Sequence, residues 1–111
     1  MAKLLVVGRS LISQTVARIF QDDFEGVVES DHESALEKFL AEEPTHVIIF
    51  DYDEHGDGTA EFNRGLVPWR DIKNSAESSQ VIVRSGFSRY DYPDYIQLPF
   101  KLEDVRKMLG I

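Results

Sequence analysis

The chain contains no cysteine, which excludes disulfides, a thiolate nucleophile and any Cys-ligated metal site, and fits an intracellular protein. Positive charge is also scarce. Twelve Lys and Arg stand against twenty Asp and Glu, for a formal net charge of −8. That balance repels nucleic-acid phosphates and anionic lipid surfaces unless basic residues are segregated into a patch, and the sequence shows none. No nucleic-acid or membrane partner is expected. Long apolar runs are missing as well. The opening MAKLLVVGRS holds only a short apolar stretch from Leu4 to Gly8, far below a signal-peptide core or a membrane span. A soluble cytoplasmic protein is the expectation, and the chain carries no repeat and no low-complexity segment.

What is present suffices for one core. A length of 111 residues matches a single domain, 1–111, with little room for a second. Hydrophobic residues make up 42% and charged residues 29%, enough apolar side chains to offset the entropy of ordering.

Four short runs read as strands: Leu4 to Val7, His46 to Phe50, Val81 to Val83 and the weaker Tyr95 to Leu98, with Val27-Val28 as a fifth. They are continuously apolar instead of alternating, which suits a parallel sheet covered on both faces. Helices fall between them. Ile12, Val16, Ile19 and Phe20 form one stripe behind Ser10 as N-cap. Ser30 with Glu33 has the capping-box spacing, followed by Ala35, Leu36, Phe39 and Leu40 on one face and Pro44 beyond the end. Leu102, Val105, Met108 and Leu109 make the last stripe, closed by Gly110. Gly65 and Pro68 interrupt the stretch from Thr59 to Gln80, which reads as one irregular helix or two short ones around Trp69 and Ile72. Gly86 to Gln97 is too short, and too interrupted at Tyr92-Pro93, for a helical crossover. The order β-α-β-α-β-α-β-loop-β-α gives an open parallel α/β sandwich, whose sites form at the carboxyl ends of the strands.

Asp51 directly follows the run from His46 to Phe50, and Ser85 follows the run from Val81 to Arg84. Both are placed at that carboxyl edge, where an Asp and a Ser facing one cleft can handle a phosphoryl group. The plainer reading is that Asp51 caps the following turn. Asp51-Tyr52-Asp53 also matches the DxD nucleophile motif of haloacid-dehalogenase-like phosphotransferases, although that motif normally sits on a first strand and 111 residues leave no room for a cap. Asp51, Asp53, Gly56, Asp57 and Thr59 partly mimic a calcium loop, but His55 and Phe62 occupy ligand positions and the preceding segment reads as strand, so a solvated acidic turn is the better reading. Gly8-Arg9-Ser10 at a strand-to-helix junction could receive an anion, but no nucleotide-binding pattern follows. His32, His46 and His55 lack ligand spacing and read as helix-start, strand-edge and turn residues. Trp69, with Phe62 and Leu66, reads as core, the alternative being an exposed partner-binding ridge.

The chain resembles the receiver domain of two-component response regulators along its whole length, as an atypical member. KLLVVGRS is similar to the family's first strand and acidic loop, and VVESDHESALEKFLAEEPTHVIIFD to its second strand through the phospho-acceptor aspartate. Asp57-Gly58, QVIVRSG and YIQLPFKLEDVRKML then match in order. The resemblance implies a CheY-like, flavodoxin-like sandwich with strand order 2-1-3-4-5. It also implies a phosphorelay role, Asp51 as phospho-acceptor, Ser85 as switch, and Mg²⁺ held partly by Asp51 and the backbone carbonyl of Asp53.

The departures matter equally. The family's paired acids fall on Gly8 and Arg9, a loss of roughly three units of negative charge for a hard cation that needs oxygen ligands. Poor Mg²⁺ affinity, and no other cofactor, is expected. The family's Lys before the last Pro is Leu98, with Lys101 three residues on as an uncertain replacement, and the fourth helix is reduced or absent. Arg9 is therefore expected to pair with Asp51 in place of metal and phosphate. Phe87, Tyr90, Tyr92 and Tyr95 occupy a loop where a helix would shield the sheet, and form the candidate contact surface. The expectation is a non-enzymatic signalling module acting on a protein partner, a histidine kinase or a downstream protein. A conventional phospho-acceptor using Asp51 is the alternative.

Overall fold

The computed structural model describes residues 2–111. Elements follow in the order β1 (Lys3–Val7), α1 (Leu11–Ile19), β2 (Gly26–Ser30), α2 (Ala35–Glu42) and β3 (His46–Phe50), then β4 (Asp53–Glu54), β5 (Ala60–Glu61), α3 (Leu66–Ser75), β6 (Val81–Gly86), β7 (Tyr95–Gln97) and α4 (Leu102–Leu109). Five parallel strands line up as β2-β1-β3-β6-β7, and β4 pairs with β5 in a separate small antiparallel hairpin. With that hairpin set aside, the order is the expected 2-1-3-4-5 of a flavodoxin-like three-layer sandwich.

The continuous apolar runs are explained by burial on both faces. Successive strand residues point to opposite sides. Leu4, Val6, Ile48, Phe50 and Val83 face one layer, packed with Val16 and Ala17 of α1 and Val105 and Leu109 of α4. Leu5, Val7, Val47, Ile49 and Ile82 face the other, with Ala35 and Phe39 of α2 and Ile72 of α3. Each such buried aliphatic side chain contributes about 1.5–3 kcal/mol relative to exposure.

Ser10 is the N-cap of α1 as the sequence suggests: its hydroxyl accepts from Ser13 N at 3.1 Å, and Ser13 Oγ accepts from Ser10 N. The Ser30–Glu33 capping box does not form. β2 runs through Ser30, whose hydroxyl donates to the Asp31 carbonyl, and it is the Asp31 carboxylate that receives the N–H of Ser34, the N-cap of α2. Leu40, assigned to the buried stripe, is exposed. The interrupted stretch resolves into one regular helix, α3. Pro68 is its third residue, where the N–H that proline lacks has no intrahelical acceptor anyway, and the first helical bond runs from Trp69 N to Gly65 O. Residues 87–94 form neither helix nor strand, so among the described residues four α-helices flank the sheet.

Candidate functional site

The carboxyl edge of β3 and β6 carries a fully buried carboxylate. Phe50 pairs with Ser85 across the two strands, and the ladder continues one step as Asp51 N donates to Ser85 O at 2.7 Å. Asp51 O accepts from Arg64 N, which fixes the turn into α3. The Asp51 side chain is fully buried. Its Oδ1 accepts from Arg84 Nε at 2.8 Å, while Oδ2 is buried without a hydrogen-bond partner.

Register explains this pairing. Ile49 lies beside Arg84, and Asp51 is two residues after Ile49, so alternation sends Asp51, Arg84 and the position of Gly86 to one face and Ser85 to the other. Two glycines make the approach possible. A Cβ on Gly86 would lie 2.7 Å from Asp51 Oδ2 and 2.8 Å from its Cβ, and a Cβ on Gly65 would collide with Oδ1. The carboxylate is thus roofed by backbone and anchored to a guanidinium.

Arg84 itself is 3% exposed. Its guanidinium carbon lies 5.7, 5.1 and 5.8 Å from the ring centres of Trp69, Tyr90 and Tyr95, within cation–π range. Burial pushes the Asp51 carboxyl above the ordinary carboxylate range, opposed by Arg84 and by His32. Burial also pushes the Tyr95 phenol up, to about 12, with the Asp51 charge adding to it.

Asp53, at the start of β4, is the centre of a second cluster. Its carboxylate is also fully buried and takes a two-pronged bond from Arg9, Nε to Oδ1 at 3.2 Å and Nη2 to Oδ2 at 3.0 Å. His32 Nδ1, His55 Nε2 and Arg64 Nε lie 4.0, 3.8 and 3.5 Å from Oδ2. The expected Arg9–Asp51 pair is therefore corrected: Arg9 binds Asp53, and Arg84 binds Asp51. The cause is local. Glu54 N donates to Arg9 O at 3.2 Å, which lays β4 against the Gly8-Arg9 loop and brings Asp53 under the Arg9 side chain.

Burial pushes the Asp53 carboxyl up, but the Arg9 bonds and charge, with His32 and His55, outweigh it and hold the group below its ordinary range. A carboxyl depressed on folding adds stability above its unfolded pKa, and that stability is lost as pH falls through the folded value. Asp53→Asn is accordingly expected to be less stable than the parent at neutral pH, with the difference closing as the pH falls below the ordinary carboxylate range. Urea midpoints measured across that range check it, and a gap independent of pH contradicts it.

The other sequence-derived residues divide. The Ser85 hydroxyl donates to Ile96 O at 2.8 Å and is directed away from Asp51, contrary to the shared cleft expected for the pair. Lys101 is exposed at the N-cap of α4. Gly8 has φ 154°, and a Cβ there would press on Ser13 and Phe50. Phe87, Tyr90 and Tyr92 are exposed, but Tyr95, expected on the same surface, is 6% exposed and donates its hydroxyl to Ser88 O, so it is an interior residue. Trp69 is partly buried against the core and stacks on Tyr92, whereas Phe62 and Leu66, expected in the core with it, are exposed. Asp57 accepts from Thr59 N and Oγ1 in the turn between β4 and β5, as a solvated acidic turn does. His46 begins β3 and packs edge-on to Phe24, whereas His32 and His55, remote in sequence, meet at Asp53. His32 is buried, with Nε2 2.7 Å from Phe50 O.

This edge does not fit Mg²⁺, which requires near-octahedral oxygen ligation. Asp51 Oδ1 is bound by Arg84, Oδ2 lies under Gly86, Asp53 is held by Arg9, and Gly8 and Arg9 offer no carboxylate. Among the described residues, no group of three or more His, Asp or Glu is arranged to hold a metal ion. Arg84 is the residue that sequence reasoning passed over. The signal was a cation inside an apolar run that the sheet must bury, and such a charge requires a partner at the same edge.

No family model matches the chain, and no curated protein matches it.

Proposed function

We propose that this chain is a receiver-like regulatory module of the two-component signalling type, cytoplasmic and non-enzymatic, that acts by contact with a protein partner and not through a phosphorylated Asp51. The partner is a histidine kinase or a downstream signalling protein. The observation that carries the reading is the Arg84–Asp51 bond under the Gly65 and Gly86 backbone. A carboxylate used as a phosphoryl acceptor needs a free oxygen facing an opening and a countercharge for the incoming group; here the countercharge already sits on the acceptor. A surface for partners is supported by the aromatic face beside it. Tyr52, Phe62 and Phe87 form a mutually packed trio with ring centres 5.2–6.0 Å apart, and Phe62, Phe87 and Tyr92 are 53, 41 and 50% exposed.

The alternative, a conventional phospho-acceptor, draws on one observation, the unpartnered Asp51 Oδ2. Incubation with acetyl phosphate and Mg²⁺ followed by intact-mass spectrometry separates the two. No phosphoryl adduct on the parent chain is expected; a Mg²⁺-dependent adduct lost in Asp51→Asn establishes the alternative.

A further inference from the structure

Residues 87–94 stand where a helix would ordinarily cover the sheet, yet they lack internal secondary structure. Their ties to the rest of the chain are few. Arg84 N donates to Asp94 O, Gln97 Nε2 and Tyr95 Oη donate to the carbonyls of Phe87 and Ser88, and Lys73 pairs with Asp94. Such a segment is not held by a ladder of backbone bonds and depends on what its side chains pack against.

They pack on Arg84. Tyr90 and Tyr95 meet edge to face at 5.1 Å, Tyr90 stacks on Tyr92 at 5.7 Å, and Tyr92 stacks on Trp69 at 6.4 Å. Three of these four rings also face the Arg84 guanidinium. The rings close a cage around one cation, and the cation's Nε is fixed by Asp51 on the far side. Cation–π contacts are strongest when the ion is desolvated, as Arg84 is. Without Asp51 the guanidinium has no charged partner at this edge and every reason to turn toward water through the cage.

We propose that Arg84 is the positioning residue of the aromatic contact face: the Asp51–Arg84 pair sets the conformation of residues 87–95, so the surface a partner meets is governed from Asp51. In this chain the acidic residue at the end of β3 communicates with the outside through a permanent cation and an aromatic cage. The proposal builds on the preceding reading only in taking that face as the contact surface. Its test observes the segment itself, without any partner, so a failed partner assay and a failed coupling remain distinguishable.

The test is limited proteolysis by trypsin after the exposed Arg89, with emission of Trp69, the single tryptophan, as a second readout. Arg84→Met and the double variant Asp51→Leu/Arg84→Met are compared with the parent chain. The double variant leaves no unpaired buried charge and keeps the measurement meaningful if the single variant does not fold. In each folded variant, cleavage after Arg89 is expected to speed up by about tenfold or more over the parent, as the segment loses the side-chain contacts that hold it. Cleavage after Lys38 in α2 should change less, and Trp69 emission should shift. Parent-like cleavage after Arg89 in the double variant, or a rise no larger there than after Lys38, overturns the proposal. Tyr90→Leu supplies the converse: it should loosen the same residues with Asp51 and Arg84 both present, and an unchanged segment would count against the cage.

Discussion

Arg84→Met is expected to lower stability by about 3–5 kcal/mol, the usual consequence of removing one partner from a buried ion pair. Methionine fills most of the aliphatic volume of arginine, so the loss is electrostatic more than steric. In the variant Asp51 keeps its burial and loses its only side-chain hydrogen bond, and neither carboxylate oxygen has a partner. Asp51 is already pushed above its ordinary range by burial, and without Arg84 that push is unopposed by its main countercharge. A carboxyl raised on folding weakens the folded state once pH exceeds its unfolded pKa, and the penalty vanishes below that value. The deficit of Arg84→Met should therefore be largest at neutral pH and shrink on acidification. Adding Asp51→Leu should recover most of the stability, because replacing a buried pair by apolar groups is often neutral or better. Denaturant midpoints for the two single variants and the double variant give the coupling directly; equal stability of parent and Arg84→Met at neutral pH contradicts the account.

The second large effect is expected at Gly86. A Cβ there would stand 2.7, 2.8 and 3.0 Å from Asp51 Oδ2, Cβ and Cγ, closer than side chains tolerate. Gly86 does not have a positive φ, so the cost of Gly86→Ala is steric. Overpacking of this kind typically costs about 1–3 kcal/mol. Gly56→Ala is the matched control, since nothing lies within 4 Å of a Cβ at that position, and a surface change of that sort stays within about 0.5 kcal/mol. Thermal unfolding of the two variants side by side is sufficient. If Gly86→Ala is as stable as Gly56→Ala, there is spare room over Asp51 and the closed pocket is incorrect.

The sandwich was legible because its signals are redundant. The runs at Leu4–Val7 and His46–Phe50 lie in strands that are buried on both faces, so the missing alternation itself reported a covered parallel sheet. Ser10 and Gly110 marked helix ends through backbone demands that only a few residue types meet. The third helix was obscured because Pro68 disrupts a helix interior but not a first turn. At α2, Ser30 and Glu33 had the right spacing, yet sheet pairing retained Ser30 and Asp31 took over the turn.

The site was half legible. Asp51 could be placed from its strand, since the end of a run is a one-dimensional fact. Its partner could not, because Arg9 and Arg84 are both near that edge and the choice between them depends on register and on where β4 lies. Alternation gives Arg84 the same face as Asp51 and gives Ser85 the opposite one, and the Glu54–Arg9 backbone bond commits Arg9 to Asp53. The meeting of His32, His55 and Arg64 at Asp53 is a product of tertiary folding between residues with no mutual spacing signal.

The central claim is that Arg84, and no metal or phosphoryl group, is the counterpart of Asp51. Arginine side-chain NMR observes this bond itself. The Arg84 Nε–H should give a separate, slowly exchanging resonance that is lost or shifted to the solvent-exposed position in Asp51→Ala, while the Arg9 Nε–H is retained through Asp53. An Arg84 Nε–H that exchanges as fast as those of exposed arginines, or one indifferent to the removal of the Asp51 carboxylate, would contradict it.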